Sequence, residues 1–119
     1  MKSVVTGGAG FIGSNLVDEL VRLDHEIIVF DNLSTGQLSN LDKVKNKIKF
    51  INIDISNSEE SMHKYFKNVD WVFHMAGRTG IVPSITNPNS YFQSNVKGTL
   101  NILEASRKAK IKKFIYAAS

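Results

Sequence analysis

An α/β fold, with a doubly wound parallel sheet of five strands in the order 3-2-1-4-5, is what this 119-residue sequence predicts. Three observations carry the prediction. Short apolar runs alternate with stretches of helical periodicity along the chain. A glycine trio separates the first apolar run from the first helical stretch. Two chained strand–helix–strand units are then followed by a long crossover, which parallel pairing and right-handed connections turn into that strand order.

Lys2–Thr6 is a short apolar strand that runs into Gly7 and Gly8. From Phe11 onward, Ile12, Leu16, Val17, Leu20 and Leu23 repeat at the spacing of one helical face, and Asp24-His25 ends that helix. Glu26–Asp31 is a second buried strand. Asn32–Asn40 is rich in Ser, Thr, Asn and Gly, and leads into a short helix or turn. Ile48–Ile53 is the third strand. Ser56-x-x-Glu59 has the form of a capping box and opens a helix that turns Met62, Tyr65 and Phe66 inward. Asp70–His74 is the fourth strand. A connection with Pro83 and Pro88 leads to the longest helix, Tyr91 to Ala109, with Val96, Leu100, Leu103 and Ala105 expected on its core side. Lys113–Ala118 is the fifth strand, and its edge, with Phe114, Ile115 and Tyr116, is expected to be open to pairing or aggregation.

The composition fits one soluble globular domain: 42% hydrophobic and 22% charged residues are ordinary values, so neither a disordered nor a fibrous chain is indicated. With no cysteine there is no disulfide, thiolate metal site or cysteine nucleophile, which fits a cytoplasmic setting. No apolar run long enough for a signal peptide or membrane span precedes Gly7. The net charge of +4 comes from lysines in two groups, Lys43/Lys45/Lys47/Lys49 and Lys108/Lys110/Lys112/Lys113. Neither group is interleaved with an aromatic stacking platform, so they read as solvated faces and no nucleic-acid partner is expected. His25, His63 and His74 share no metal-ligand spacing, and no metal is expected. Tyr65, Phe66 and Trp71 read as core residues.

The strongest chemical signal is Thr6-Gly7-Gly8-Ala9-Gly10-Phe11-Ile12-Gly13. Glycines that follow a strand and open a helix suit a phosphate-binding turn. Gly7 permits the turn, Gly10 lets backbone approach a pyrophosphate, and Gly13 lets the helix pack close to the sheet. Free amides at the positive end of the helix dipole then hold the anion. Asp31 closes the second strand eighteen positions beyond Gly13. A carboxylate there accepts both ribose hydroxyls of adenosine and repels a 2′-phosphate, which selects NAD over NADP; no arginine follows closely to reverse that choice. A strand-end Asp that merely caps a turn is the bland alternative.

These residues resemble the extended short-chain dehydrogenases/reductases, the NAD-dependent epimerase/dehydratase family, and most of all the N-terminal part of the UDP-glucose 4-epimerases. TGGAGFIGSNL and Asp31–Gly36 (DNLSTG) carry the resemblance first. Asp54-Ile55, His74-Met75-Ala76-Gly77, Val82-Pro83-Ser84, Asn87-Pro88, Asn95-Val96-Lys97-Gly98-Thr99 and the final Lys113–Ser119 strand extend it over the whole chain. The resemblance implies that Gly7, Gly10, Phe11 and Ile12 hold the pyrophosphate of NAD. It implies Asp31 and Asn32 at the adenosine ribose with Ser34, Thr35 and Gly36 nearby, and Asp54 and Ile55 beside adenine. Met75, Ala76 and Gly77 would line the middle of the cofactor, Asn95 would make a polar contact from its helix, and Ser119 would be the catalytic hydroxyl on the sugar oxygen.

The implied reaction is inversion of a sugar carbinol through a transient keto intermediate, on a nucleotide-sugar (a UDP-sugar), in a homodimer. The family's Tyr-x-x-x-Lys is missing from the 119 residues; Tyr91 has Asn95 where the Lys is required. Residues 1–119 are therefore expected to be an incomplete NAD-binding Rossmann domain without its substrate-binding C-terminal region, a truncation inactive by itself. Arg78-Thr79 falls where relatives vary and takes no assigned role. A nucleotide-sugar dehydratase or decarboxylase of the same family and a non-catalytic NAD-binding module remain the alternatives.

Overall fold

A computed structural model of the chain describes residues 1–57, 59–77 and 85–117. Strands β1 (Lys2–Thr6), β2 (Glu26–Asp31), β3 (Ile48–Asn52), β4 (Trp71–His74) and β5 (Lys113–Tyr116) form one parallel sheet in the order β3-β2-β1-β4-β5. The register sets the strand tops level: Thr6 stands opposite Phe30 on one side and His74 on the other, and His74 stands opposite Tyr116. The expected strand order holds, and the expected strands recur within a residue or two; Ala118 lies outside the described residues.

Apolar side chains alternate through the central strands, so both sheet faces are buried, as crossover helices require. Val4, Ile28, Phe30 and Val72 point to one face with Met62, Phe66, Ile102 and Ala105. Val5, Ile27 and Val29 point to the other with Val17, Leu20 and Leu41. Helix α1 (Phe11–Arg22) and a 3₁₀ turn (Leu38–Leu41) cover the second face. Helix α2 (Glu59–Met62) runs into a 3₁₀ turn (His63–Phe66) and covers the first face with the chain's last helix. Phe66 is core as expected; Tyr65 and Trp71 are only half-buried, each with a lysine ammonium over its ring. Helix α1 turns Val17 and Leu20 inward but leaves Ile12 and Leu23 exposed.

Two further expectations are corrected. The segment expected to be one helix from Tyr91 to Ala109 is three pieces: α3 (Pro88–Tyr91), a π-helical stretch (Phe92–Lys97) and α4 (Gly98–Ala109). Its buried side carries Gly98, Ile102, Ala105 and Ser106, whereas Val96 (55%), Leu100 (62%) and Leu103 (43%) face outward. Small residues let the helix lie close to the sheet, so the larger aliphatic stripe is displaced to the far side. The Ser56 side of the capping box also differs. The Ser56 hydroxyl donates to Asp54 Oδ1 at 2.6 Å inside an Asx turn, and the Glu59 side chain lies outside the described residues.

No helix among the described residues is long and apolar enough to cross a membrane.

Candidate functional site

The parallel sheet directs the carboxyl ends of all five strands to one edge, and a cleft of about 580 Å³ opens there. It begins where β1 meets α1. Gly7 takes φ = +69°, a conformation that glycine adopts without strain, and its N–H donates to Phe30 O at 2.7 Å. A methyl group on Gly7 would stand 2.7 Å from Ala76 N, and one on Gly13 would stand 2.1 Å from Gly7 O. The turn, the β4 loop and the first turn of α1 are thus in backbone contact, a closeness that a Cβ would prevent.

Gly10 is the N-cap of α1 and offers no side-chain cap. The first intrahelical bond runs from Ser14 N–H to Gly10 O at 2.9 Å, which leaves the amides of Phe11, Ile12 and Gly13 ahead of it. All three residues line the cleft, and Phe11 (82%) and Ile12 (71%) are among its most exposed apolar groups. The start of this twelve-residue helix therefore presents donors and positive potential to the cleft.

Asp31 sits across from the turn at the top of β2. Its Oδ2 accepts the Ala9 N–H at 2.9 Å and its Oδ1 accepts the Leu33 N–H at 2.8 Å. Each oxygen retains acceptor capacity toward the cleft. The turn-capping reading and the ligand reading of Asp31 are therefore compatible. Asn32 repeats the device, its Oδ1 accepting the Ser34 N–H at 3.0 Å, while Leu33 takes φ = +61°. Gly36 backs this loop against Ala9, where a Cβ would meet Ala9 C at 2.8 Å. At the top of β3, Asp54 accepts the Ser56 N–H and hydroxyl, and Ile55 is buried with its carbonyl accepting Asn101 Nδ2 at 2.7 Å.

The far wall is built by β4. His74 is buried, and burial pushes its imidazole down to about 4. Beyond it Met75, Ala76 and Gly77 form the wall, and Ala117 after β5 ends the cleft.

Among the residues singled out from sequence, Gly7, Gly10, Phe11, Ile12, Gly13, Asp31, Asn32, Ser34, Thr35, Asp54, Ile55, Met75, Ala76 and Gly77 line this one cleft. Gly36 and Asn95 do not line it. Gly36 supports the loop from behind, and the Asn95 Oδ1 would be 3.2 Å from a Cβ on Gly77. Ser119 and the Val82-Pro83-Ser84 motif lie outside the described residues. Sequence reading missed Phe30, Ile53, Ser56, Asn57 and Ala117 as lining. Phe30, Ile53 and Ala117 are strand-end neighbours of residues already selected, a positional signal that strand boundaries alone could have supplied. Ser56 and Asn57 reach the cleft through the Asp54 turn.

The site has the form needed for a dinucleotide: amides without a side-chain cap for a pyrophosphate, a carboxylate one strand away, and a strand-end floor between them. Residues 3–119 match the NAD dependent epimerase/dehydratase family. A Methanocaldococcus jannaschii protein provisionally assigned as a UDP-glucose 4-epimerase is 41% identical over 116 residues, covering 98% of this chain and 37% of that protein. The UDP-glucose 4-epimerase of Thermotoga maritima, solved with UDP-glucose, superposes with a TM-score of 0.93 at 38% identity, over 100% of this chain and 38% of its own. The Thermus thermophilus UDP-glucose 4-epimerase, solved with NAD, gives 0.90 at 35% identity, again over 100% of this chain and 38% of the other. The chain thus spans little more than a third of the length of these relatives.

Proposed function

The chain belongs to the NAD dependent epimerase/dehydratase family, and on that premise we propose that residues 1–119 are the NAD-binding domain of a nucleotide-sugar 4-epimerase acting on a UDP-sugar. The observation that carries the proposal is the shared cleft: the uncapped start of α1, after β1, and the Asp31 carboxylate, at the end of the neighbouring β2, face one space. The amides of Phe11 and Ile12, with Gly7, Gly10 and Gly13 holding the backbone close, bind the pyrophosphate. Asp31 and Asn32 take the adenosine ribose, with Ser34, Thr35 and Gly36 shaping the loop. Asp54 and Ile55 flank adenine. Met75, Ala76 and Gly77 line the middle of the dinucleotide, and Asn95 approaches it from behind Gly77.

When bound, NAD⁺ would supply a hydride acceptor and, once reduced, a hydride donor for the sugar carbon. Ser119 is the proposed hydrogen-bond partner of the sugar oxygen at that carbon. Proton removal needs a basic group within hydrogen-bond reach, and the 119 residues hold no Tyr-x-x-x-Lys to provide it. Purified chain is therefore expected to bind NAD⁺ without interconverting UDP-glucose and UDP-galactose. The family description also spans dehydration; product analysis of the reaction catalysed together with a complementing C-terminal region separates an epimer from a dehydrated keto sugar.

A second copy of the chain is the proposed partner, paired through the outward stripe of Phe92, Val96, Leu100 and Leu103. Sedimentation of a Leu100→Glu/Leu103→Glu variant tests that pairing: the reading expects a shift to monomer, and an unchanged dimer would contradict it.

Calorimetric titration tests the cofactor reading. Saturable NAD⁺ binding, with NADP⁺ weaker, is expected. Asp31→Ala should weaken NAD⁺ by about ten- to a hundred-fold, the scale of one charged hydrogen-bond acceptor. Equal affinity for both dinucleotides would contradict the role given to Asp31.

A further inference from the structure

A continuous hydrogen-bonded chain crosses the tops of β1 and β4 into helix α4, and its chemistry fixes every proton. The Thr99 hydroxyl lies 2.7 Å from Asn95 O. A carbonyl cannot donate, so the single Thr99 proton points at Asn95. His74 Nε2, 2.8 Å from the same hydroxyl, must then be the donor. A neutral imidazole protonated at Nε2 has a bare Nδ1. Thr6 Oγ1, at 2.6 Å, therefore donates to Nδ1 and accepts the Ala76 N–H at 3.1 Å. Each hydroxyl gives one proton and takes one. The Nδ1–H tautomer would leave Thr99 asked to donate twice and the Thr6 proton without a recorded acceptor among the described residues.

The same chain reaches both flanks of the cleft. Thr6 immediately precedes Gly7, and Ala76 lies on the far wall beside Gly77. Asn95 sits in the π-helical stretch just before α4, with its Oδ1 close behind Gly77. Main-chain hydrogen bonding changes pattern where a π turn gives way to an α turn, and the Thr99 hydroxyl supplies a side-chain donor to the Asn95 carbonyl there. The ring is further held by Tyr116 on β5, stacked at 5.7 Å and 30°, and by Phe114 at 6.1 Å.

We propose that His74, as a neutral imidazole protonated at Nε2, is a positioning residue that locks the glycine turn, the Met75–Gly77 wall and Asn95 into one register. It does not line the cleft and acts through Thr6 and Thr99. Its consequence for dinucleotide affinity rests on the cofactor reading above, but the proton arrangement does not.

Long-range ¹H–¹⁵N spectra of the histidine rings in the purified chain give the tautomer directly. The expected result is a protonated Nε2 and an unprotonated Nδ1 for His74; the reverse pattern would overturn the proposal. Thr99→Val, which removes a hydroxyl that does not line the cleft, is then compared with wild type. The backbone amide signals of Ala76 and Gly77 should move, and NAD⁺ binding should weaken about ten-fold, the loss of one buried hydrogen bond. Unmoved signals at Ala76 and Gly77 would overturn the positioning role whether or not the wild-type chain binds NAD⁺. If wild type binds NAD⁺, unchanged affinity in Thr99→Val would overturn it as well. If wild type shows no NAD⁺ binding while the tautomer and the signal shifts appear, the cofactor reading fails and the positioning role stands.

Discussion

Gly13→Ala is a small change with a calculable penalty. A Cβ at Gly13 would stand 2.1 Å from Gly7 O, 2.9 Å from Gly7 C and 3.0 Å from Gly8 Cα, all backbone atoms of a turn that cannot simply rotate away. Overpacking of this kind costs about 1–3 kcal/mol, and the hard contact with a carbonyl oxygen places it at the upper end. Alanine inside a helix returns about 1 kcal/mol through its better propensity. The net expectation is a loss of about 1–2 kcal/mol, or roughly 4–15 °C in the thermal midpoint of a domain this size. Gly10→Ala is the matched control, because a methyl group there meets only Gly7 O at 3.3 Å while the residue lines the cleft. Thermal unfolding by circular dichroism and NAD⁺ calorimetry on both variants separate packing from binding. Gly13→Ala should lose stability; Gly10→Ala should keep most of its midpoint and lose NAD⁺ affinity. A Gly13→Ala protein as stable as wild type would refute the claim that helix α1 rests directly on the glycine turn.

Three further outcomes rest on burial and charge in the same fold. Ile102 is fully buried, so Ile102→Ala should cost about 2–5 kcal/mol in urea unfolding, whereas Leu100→Ala on the outward stripe should leave the monomer's stability nearly unchanged. His74 is held near 4 by burial while its unfolded form titrates near 6.5. The unfolded chain therefore takes up a proton that the folded chain refuses. Stability should be at its full value above about pH 6.5 and fall by about 2 kcal/mol between pH 7 and pH 5, with the loss levelling off below about pH 4. Tyr116 is the one titratable side chain in ring contact with His74 among the described residues; urea titrations of wild type and His74→Gln at both pH values isolate the His74 share. The Arg22–Glu19 and Arg107–Glu104 pairs are exposed, so Glu19→Gln and Glu104→Gln should leave the midpoint unmoved at moderate salt.

The strand order and most of the cleft were legible because both rest on local signals. Apolar runs mark the strands, glycine offsets mark the turn, and Asp31 is set by distance along one strand–helix–strand unit. The last helix was misread because periodicity identifies an apolar stripe without saying which side packs. Gly98, Ala105 and Ser106 buried themselves for closeness to the sheet, and Leu100 and Leu103 were left outside. The π-helical stretch left no pattern in Phe92–Lys97 that a helical template separates from an α-helix. His74 read as a structural histidine without metal spacing. Its place between two threonines, sixty-eight and twenty-five residues away, depends on strand register and helix docking that no local pattern encodes. Ser56 was read as a cap because capping boxes and Asx turns draw on the same residue types; the Asp54 carboxylate two positions earlier was the competing partner.

Whether the cleft at the tops of the strands is the dinucleotide site is decided by a ¹H–¹⁵N titration of the labelled chain with NAD⁺. Amide shifts should concentrate at Gly7, Phe11, Ile12, Asn32 and Gly77. Lys47 and Lys64, in the hollow at the opposite ends of the strands, should stay still. Shifts confined to that lysine-lined hollow, or none at the glycine turn at saturating NAD⁺, would contradict the dinucleotide reading of the cleft.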